Sequence, residues 1–270
     1  MEYRTDLAVE YTPPSCHRRE LRDGCAVTRL NHRGERYVTI ELPALTDHTG
    51  GAAAELIRRE LAAMLPGRGL VLVVGLGNRS ITPDALGPLT ADKILATRHI
   101  RGELARAAGL EGLRPVAVLA PGVLGNTGVE SGEAAEALAA ALHPAAVVAV
   151  DALAARSLSR LGCTVQLSTA GVSPGEGVGN PRPELSARRL GVPVAALGIP
   201  TVVDAASLAA DLTGGRREAV ESVCPRGASM VVTPREIDLL VERGARTLAM
   251  AVNRALNPGL SQEEISLLTS

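Results

Sequence analysis

Two aspartates stand where an α/β protein can place an acid–base pair. Asp151 follows the apolar run Ala145–Val150, and Asp84 lies in TPDALGP, just after the apolar run and glycine turn GLVLVVGLGN. Open α/β sheets form their sites at the carboxyl ends of strands. Two carboxyls facing one crevice there cannot both ionise readily, so one pKa rises and the pair shares a proton. One carboxylate then takes a proton from water while the other donates one, the two roles that peptide hydrolysis needs. Each aspartate also has a plainer reading as a helix N-cap, a position that Asp favours.

Three glycine-rich segments border these positions. Gly75, Gly77 and Asn78 form a GxGN turn, and Gly122 and Gly125 form a second turn in PGVLGNTGVE. Either turn is expected to bring backbone N–H donors to a developing oxyanion. The third, Gly171–Ser186, holds Gly177, Gly179 and Asn180 and reads either as a substrate-binding loop or as a plain connection. Position 80 is Ser, so the first turn is not GxGxxG and a dinucleotide site is excluded. No GxSxG occurs, and Ser80 and Ser157 lack evident His–Asp partners. None of the 4 cysteines lies in CxxC spacing, and none of the 5 histidines pairs with a cysteine in a motif. No zinc site, no thiol nucleophile and no cofactor are therefore expected, and the cysteines read as reduced and mostly buried.

The elements that must position these residues follow from apolar periodicity. Alternation over Arg36–Leu42 predicts a strand, with Asn31–Gly34 as a turn before it. Helical spacing of Leu56, Ile57, Leu61 and Met64 predicts a helix over Ala52–Leu65. Continuous apolar runs predict buried strands at Gly69–Gly75, Pro115–Leu119, Ala145–Val150, Cys163–Leu167 and Val192–Leu197. Helices are expected at Ala85–Arg98, Gly132–Leu142 and Ala152–Leu161, with a further helix start in Thr201–Ala210. A last helix is expected from Pro234 to Leu256, with Thr233 as its N-cap and Glu236 completing a capping box. Strand–helix alternation implies an α/β class: one domain over 1–270, a mostly parallel sheet with helices on both faces. Residues 7–50 form a small N-terminal β-rich extension and 213–228 a loop.

Bulk composition narrows the partners. With 46% hydrophobic residues in 270, the chain can bury a core, and it does so with only 1% aromatics. A net charge of -1 gives no basic excess for phosphate neutralisation, so direct nucleic-acid binding is not expected. No apolar stretch reaches about 18 residues, so no membrane span is expected. The N-terminus carries Glu2, Asp6 and Glu10 with no apolar h-region, which excludes a secretory signal.

Several segments together resemble one family. RTDLAVE, VVGLGN with TPDALGP, TRHI, APGVLGNTGVE, VDALAARSLSRL, GVSPGEGVGN, LGVPVAALGIPTVVDA and MVVTPREID, in this order from Arg4 onward, resemble the spore germination protease, an atypical aspartic endopeptidase. The resemblance implies cleavage of small acid-soluble, DNA-protecting spore proteins during germination, with Asp84 and Asp151 as the catalytic aspartates. It implies a zymogen processed within RTDLA, here between Asp6 and Leu7, so that 1–6 is a short propeptide. It also implies a homotetramer in the cytoplasm of the forespore or spore core, and a core similar to that of hydrogenase maturation endopeptidases. Two features depart from the family: the propeptide is very short, and the insertion between PTVVDA and the VTP segment is reduced to about Ser207–Met230. The competing readings are a metal-dependent hydrogenase maturation endopeptidase, which uses a His to hold nickel, and a non-catalytic scaffold whose aspartates only cap helices. The chain has no His after His143, so the ligand expected downstream for nickel is missing.

Overall fold

The computed structural model describes residues 5–43, 45, 51–100, 102–107, 109–173, 184–214 and 230–269. The described strands are β1 Arg18–Arg22, β2 Cys25–His32, β3 Glu35–Glu41, β4 Val71–Gly75, β5 Val116–Leu119, β6 Ala146–Ala155, β7 Thr164–Ser168, β8 Val194–Asp204 and β9 Val231–Val232. The described helices are α1 Ala8–Tyr11, α2 Gly51–Ala62, α3 Leu86–Ala91, α4 Gly102–Ala107, α5 Leu124–Thr127, α6 Ser131–Leu142, α7 Ala187–Leu190, α8 Ala205–Thr213, α9 Ile237–Leu256 and α10 Gln262–Leu268. None of them is long and apolar enough to cross a membrane.

All the strands join one sheet in the order β1-β2-β3-β7-β8-β6-β4-β5, with β9 beside β8. The pairs β4–β5, β4–β6 and β6–β8 are parallel. β1, β2, β3 and β7 continue the sheet antiparallel, so an α/β sheet with a parallel centre carries an antiparallel wing. The β-rich N-terminal stretch is thus part of the main sheet, joined where Val38 faces Leu167. Both faces are covered, because the parallel strands are apolar on both sides. On one face Val71, Val73, Val148, Val150, Leu197 and Ile199 pack against α2 and α9. On the other, Leu72, Val74, Val147, Ala149 and Ala196 pack against Ala135 and Ala139 of α6.

Several expected boundaries are corrected. The segment Ala152–Leu161 is not a helix. β6 runs on through Ala155, followed by a single 3-10 turn at Leu158–Arg160. Its continuation is fixed by pairing with β8, which itself extends to Asp204; the helix start expected in Thr201–Ala210 falls at Ala205, where α8 begins. The helix expected over Ala85–Arg98 ends at Ala91, and further on the Thr97 and Arg98 N–H groups both donate to the Val116 carbonyl of β5 (3.1 and 3.0 Å). α9 begins at Ile237 rather than Pro234, and Glu236 makes no side-chain cap. The expected cap, Thr233, instead donates its hydroxyl to the Thr201 carbonyl of β8 at 3.0 Å. Most of the loop expected over 213–228 lies outside the described residues, and α8 already includes Thr213. The three described cysteines are less buried than expected: Cys25 is buried, Cys163 half-buried and Cys16 exposed, and Cys224 lies outside the described residues.

Candidate active site

Asp151 sits mid-strand in β6, not at a strand end before a helix, which removes its reading as an N-cap. It is the first residue of β6 beyond the reach of β4, whose register ends at Gly75 opposite Val150. Leu76 then donates its N–H to the Val150 carbonyl at 2.8 Å, and the chain turns away. The Asp151 side chain is only 7% exposed. It accepts one hydrogen bond, from the Ala152 N–H at 2.9 Å. Burial pushes the Asp151 carboxyl well above the ordinary range, and the nearby carboxylates of Asp84 and Asp6 push it further. The hydrogen bond from Ala152 opposes this without cancelling it.

Asp84 ends a 3-10 turn, Thr82–Asp84, that follows the glycine turn after β4. It is half-buried, and its Oδ2 accepts the Asn78 N–H at 2.7 Å. Gly77 permits this approach. It has φ of +114°, and a Cβ there would lie 2.0 Å from the Asp84 carbonyl oxygen. The turn is anchored from below by Thr201 of β8, whose hydroxyl donates to the Pro83 carbonyl at 2.7 Å. Gly87 closes the packing, since a Cβ there would sit 2.2 Å from the Leu76 carbonyl oxygen and 2.5 Å from that of Val150.

The glycine segments are placed less uniformly than the aspartates. Gly75 ends β4 and packs against Gly87, so its lack of a side chain serves backbone packing. The Asn78 N–H is engaged by Asp84 rather than turned outward as an oxyanion donor. Gly122 precedes α5, and Gly125 is exposed within it. The two turns approach each other where Asn126 Nδ2 donates to Asn78 Oδ1 at 3.4 Å. Gly177, Gly179 and Asn180 lie outside the described residues.

The expected processing residues lie beside the pair. Asp6 donates its N–H to the Ala154 carbonyl at 2.9 Å, and its Oδ2 accepts the Ala154 N–H at 2.7 Å. Leu7 is fully buried, in a cluster with Leu153, Ala155 and Val203. Glu10 fixes the segment further on, accepting the N–H groups of Arg156 (2.7 Å) and Ser157 (2.9 Å).

The profile of the germination protease family matches residues 20–215. The chain belongs to the germination protease family. It is 36% identical to a germination protease of Clostridium acetobutylicum over 97% of this chain and 98% of that protein. It is 37% identical to one from Caldanaerobacter subterraneus over 98% of this chain and 97% of that protein. A solved NiFe hydrogenase maturation protease from Thermococcus kodakarensis matches 73% of this chain and 98% of that one, with 20% identity and a TM-score of 0.42.

One polar residue of this family member escaped the sequence reading. Gln166 of β7 is only 7% exposed and hydrogen-bonds the N-terminal segment on both sides of Leu7. The signal was a lone carboxamide in the otherwise apolar centre of TVQLS, since a buried polar side chain requires partners.

Proposed function

We propose that this chain is an endopeptidase that degrades small acid-soluble spore proteins during germination, using Asp84 and Asp151 to activate water. The observation that carries this reading is a deeply buried carboxyl, Asp151, raised by its burial and by the charge of Asp84. Such a pair divides the work: Asp151 keeps its proton and donates it to the leaving nitrogen, while Asp84 takes the proton of the attacking water. Family membership supports a peptidase that acts in germination. The aspartate mechanism and the spore-protein substrate are our extension of it.

In this reading Asp6–Leu7 is the processing bond and 1–6 a short propeptide. Asp6 and Leu7 are held beside the pair, and an acidic residue followed by an apolar one is also what the protein would cleave in its substrates. The reading includes a homotetramer in the spore core. Incubation of purified protein with a small acid-soluble spore protein, followed by mass spectrometry of the fragments, tests the activity. Asp84→Asn and Asp151→Asn should each lower cleavage by about 100-fold or more with the circular dichroism spectrum unchanged. Near-normal cleavage by either folded variant would remove that aspartate from the mechanism.

A further inference from the structure

Residues Thr5–Ala8 cross the sheet from β6 towards β7, and β7 meets them with one side chain. Gln166 Nε2 donates to the Asp6 carbonyl oxygen at 2.6 Å. Its Oε1 accepts the Ala8 N–H, also at 2.6 Å. A single carboxamide therefore brackets Leu7, with its donor on the carbonyl of the Asp6–Leu7 peptide bond. The burial of Leu7 and the double contact of Asp6 with Ala154 hold the bond from either side.

The sheet register relates this carboxamide to the aspartate pair. Gln166 stands opposite Gly198 of β8, and Gly198 stands opposite Asp151 of β6. Directly opposed residues point to the same face. Gln166 and Asp151 thus share a face, two strand spacings or about 10 Å apart at the backbone. Between them Gly198 carries no side chain. A Cβ there would come 2.4 Å from the Asp151 carbonyl oxygen and 2.8 Å from Leu153 Cγ. Leu153 leans over the space that Gly198 leaves between carboxyl and carboxamide, and the N-terminal segment crosses that row from Ala154 to Gln166. Gln166 is buried, so when residues 1–6 leave, its Nε2 needs another carbonyl oxygen as partner, while Oε1 keeps the Ala8 N–H.

We infer that Gln166 is a catalytic residue of the peptidase site, holding the carbonyl oxygen of the bond that is cleaved, first in this chain's own Asp6–Leu7 and then in a protein substrate. This rests on the peptidase reading given above. Water oxygen bonds to the carbonyl carbon while its proton passes to one carboxylate of the pair. The carbonyl oxygen takes up negative charge against the Gln166 amide. The bond to the Leu7 nitrogen then breaks, and that nitrogen takes a proton from the other carboxyl, leaving a free carboxyl on Asp6 and a free amine on Leu7. A donor aimed at the oxygen where charge develops stabilises the transition state more than the ground state.

The test uses full-length protein carrying Gln166→Leu or Gln166→Glu, beside wild type and Asp151→Asn. Two rates are read from about pH 4 to about pH 8: release of the chain beginning at Leu7, and hydrolysis of an added peptide containing Thr-Asp-Leu-Ala-Val-Glu. Gln166→Leu should lower kcat about 100-fold. Gln166→Glu keeps the shape of the side chain and guards against a folding failure in Gln166→Leu. It should be equally impaired at neutral pH and regain activity relative to wild type as pH falls towards about 4.3, where a protonated carboxyl again donates. Activity within threefold of wild type in the folded variants, or a raised KM with kcat intact, overturns the role of Gln166 and leaves the aspartate mechanism standing. A wild type that cleaves nothing overturns both.

Discussion

From Ala146 to Val150, β6 runs between β4 and β8, every residue buried and every neighbour a parallel strand. From Asp151 to Ala155 it keeps β8 but exchanges β4 for the N-terminal segment, which contacts it through Asp6. The first half is held by shape. Its side chains are Ala and Val, packed on both faces against apolar partners. The second half adds, to its apolar cluster with Leu7 and Val203, polar groups brought from far along the chain: Asp6 on Ala154, and Glu10 on Arg156 and Ser157 just beyond the strand. One strand is therefore framework at its start and peptide-binding edge at its end, and the change falls at Asp151. A strand edge left open by its neighbour is a ready template for an extended peptide. Here the chain's own N-terminus occupies it.

The strongest way to break the framework half is Gly87→Ala. Its Cβ would meet only backbone, the Leu76 and Val150 carbonyls, and neither can swing aside. We expect a loss of about 3 kcal/mol, read from the urea unfolding midpoint. A loss below about 1 kcal/mol would show that the β4–β6 junction is looser than described.

The edge half should yield locally rather than globally. Glu10→Gln removes the charge that holds the Arg156 and Ser157 N–H groups and that faces Arg160 at 3.7 Å. Hydrogen bonds to a charged group contribute about 1.5–3 kcal/mol. Hydrogen exchange at Arg156, Ser157 and Ala154 should quicken accordingly, while exchange in Val147–Val150 stays slow. Equal acceleration in both halves would erase the distinction between them.

The smallest effect sharpens the comparison by its sign. Asp151→Asn should stabilise the protein. The carboxyl is raised in the folded state, so the folded chain binds its proton more tightly than the unfolded chain does. That contribution is complete below the unfolded Asp pKa of about 3.9 and is lost as pH rises towards the raised value. Asn does not titrate. The variant's melting temperature should therefore gain on wild type as pH rises above about 4, by about 3 °C for each kcal/mol. A difference that stays flat with pH would mean that the carboxyl is not strained by its site.

The sequence made the framework half legible and the edge half only partly so. The run Ala145–Val150 announces a buried strand, as GLVLVVG does for β4, because parallel strands are apolar on both sides. The continuation Ala152–Ala155 reads as helix because Ala and Leu are strong helix formers, and local propensity was overridden by pairing with β8. The GxGN turn is legible, but its packing is not. Gly77 makes room for Asp84, a contact across seven residues that no local pattern encodes. Gln166 was passed over because its partners, Asp6 and Ala8, lie some 160 residues away in sequence. What brings them together is the order β6-β8-β7, which apolar periodicity does not reveal.

The central claim is that Asp151 and Asp84 form a coupled pair in which Asp151 retains the proton. The direct measurement is a carbon-13 NMR titration of the Asp151 carboxyl in wild type and in Asp84→Asn. We predict a wild-type carboxyl that stays protonated well above the ordinary Asp range, and a midpoint that falls in Asp84→Asn yet remains raised, because burial is the larger cause. A wild-type midpoint near the usual value of about 3.9, unchanged on removing Asp84, would contradict the account.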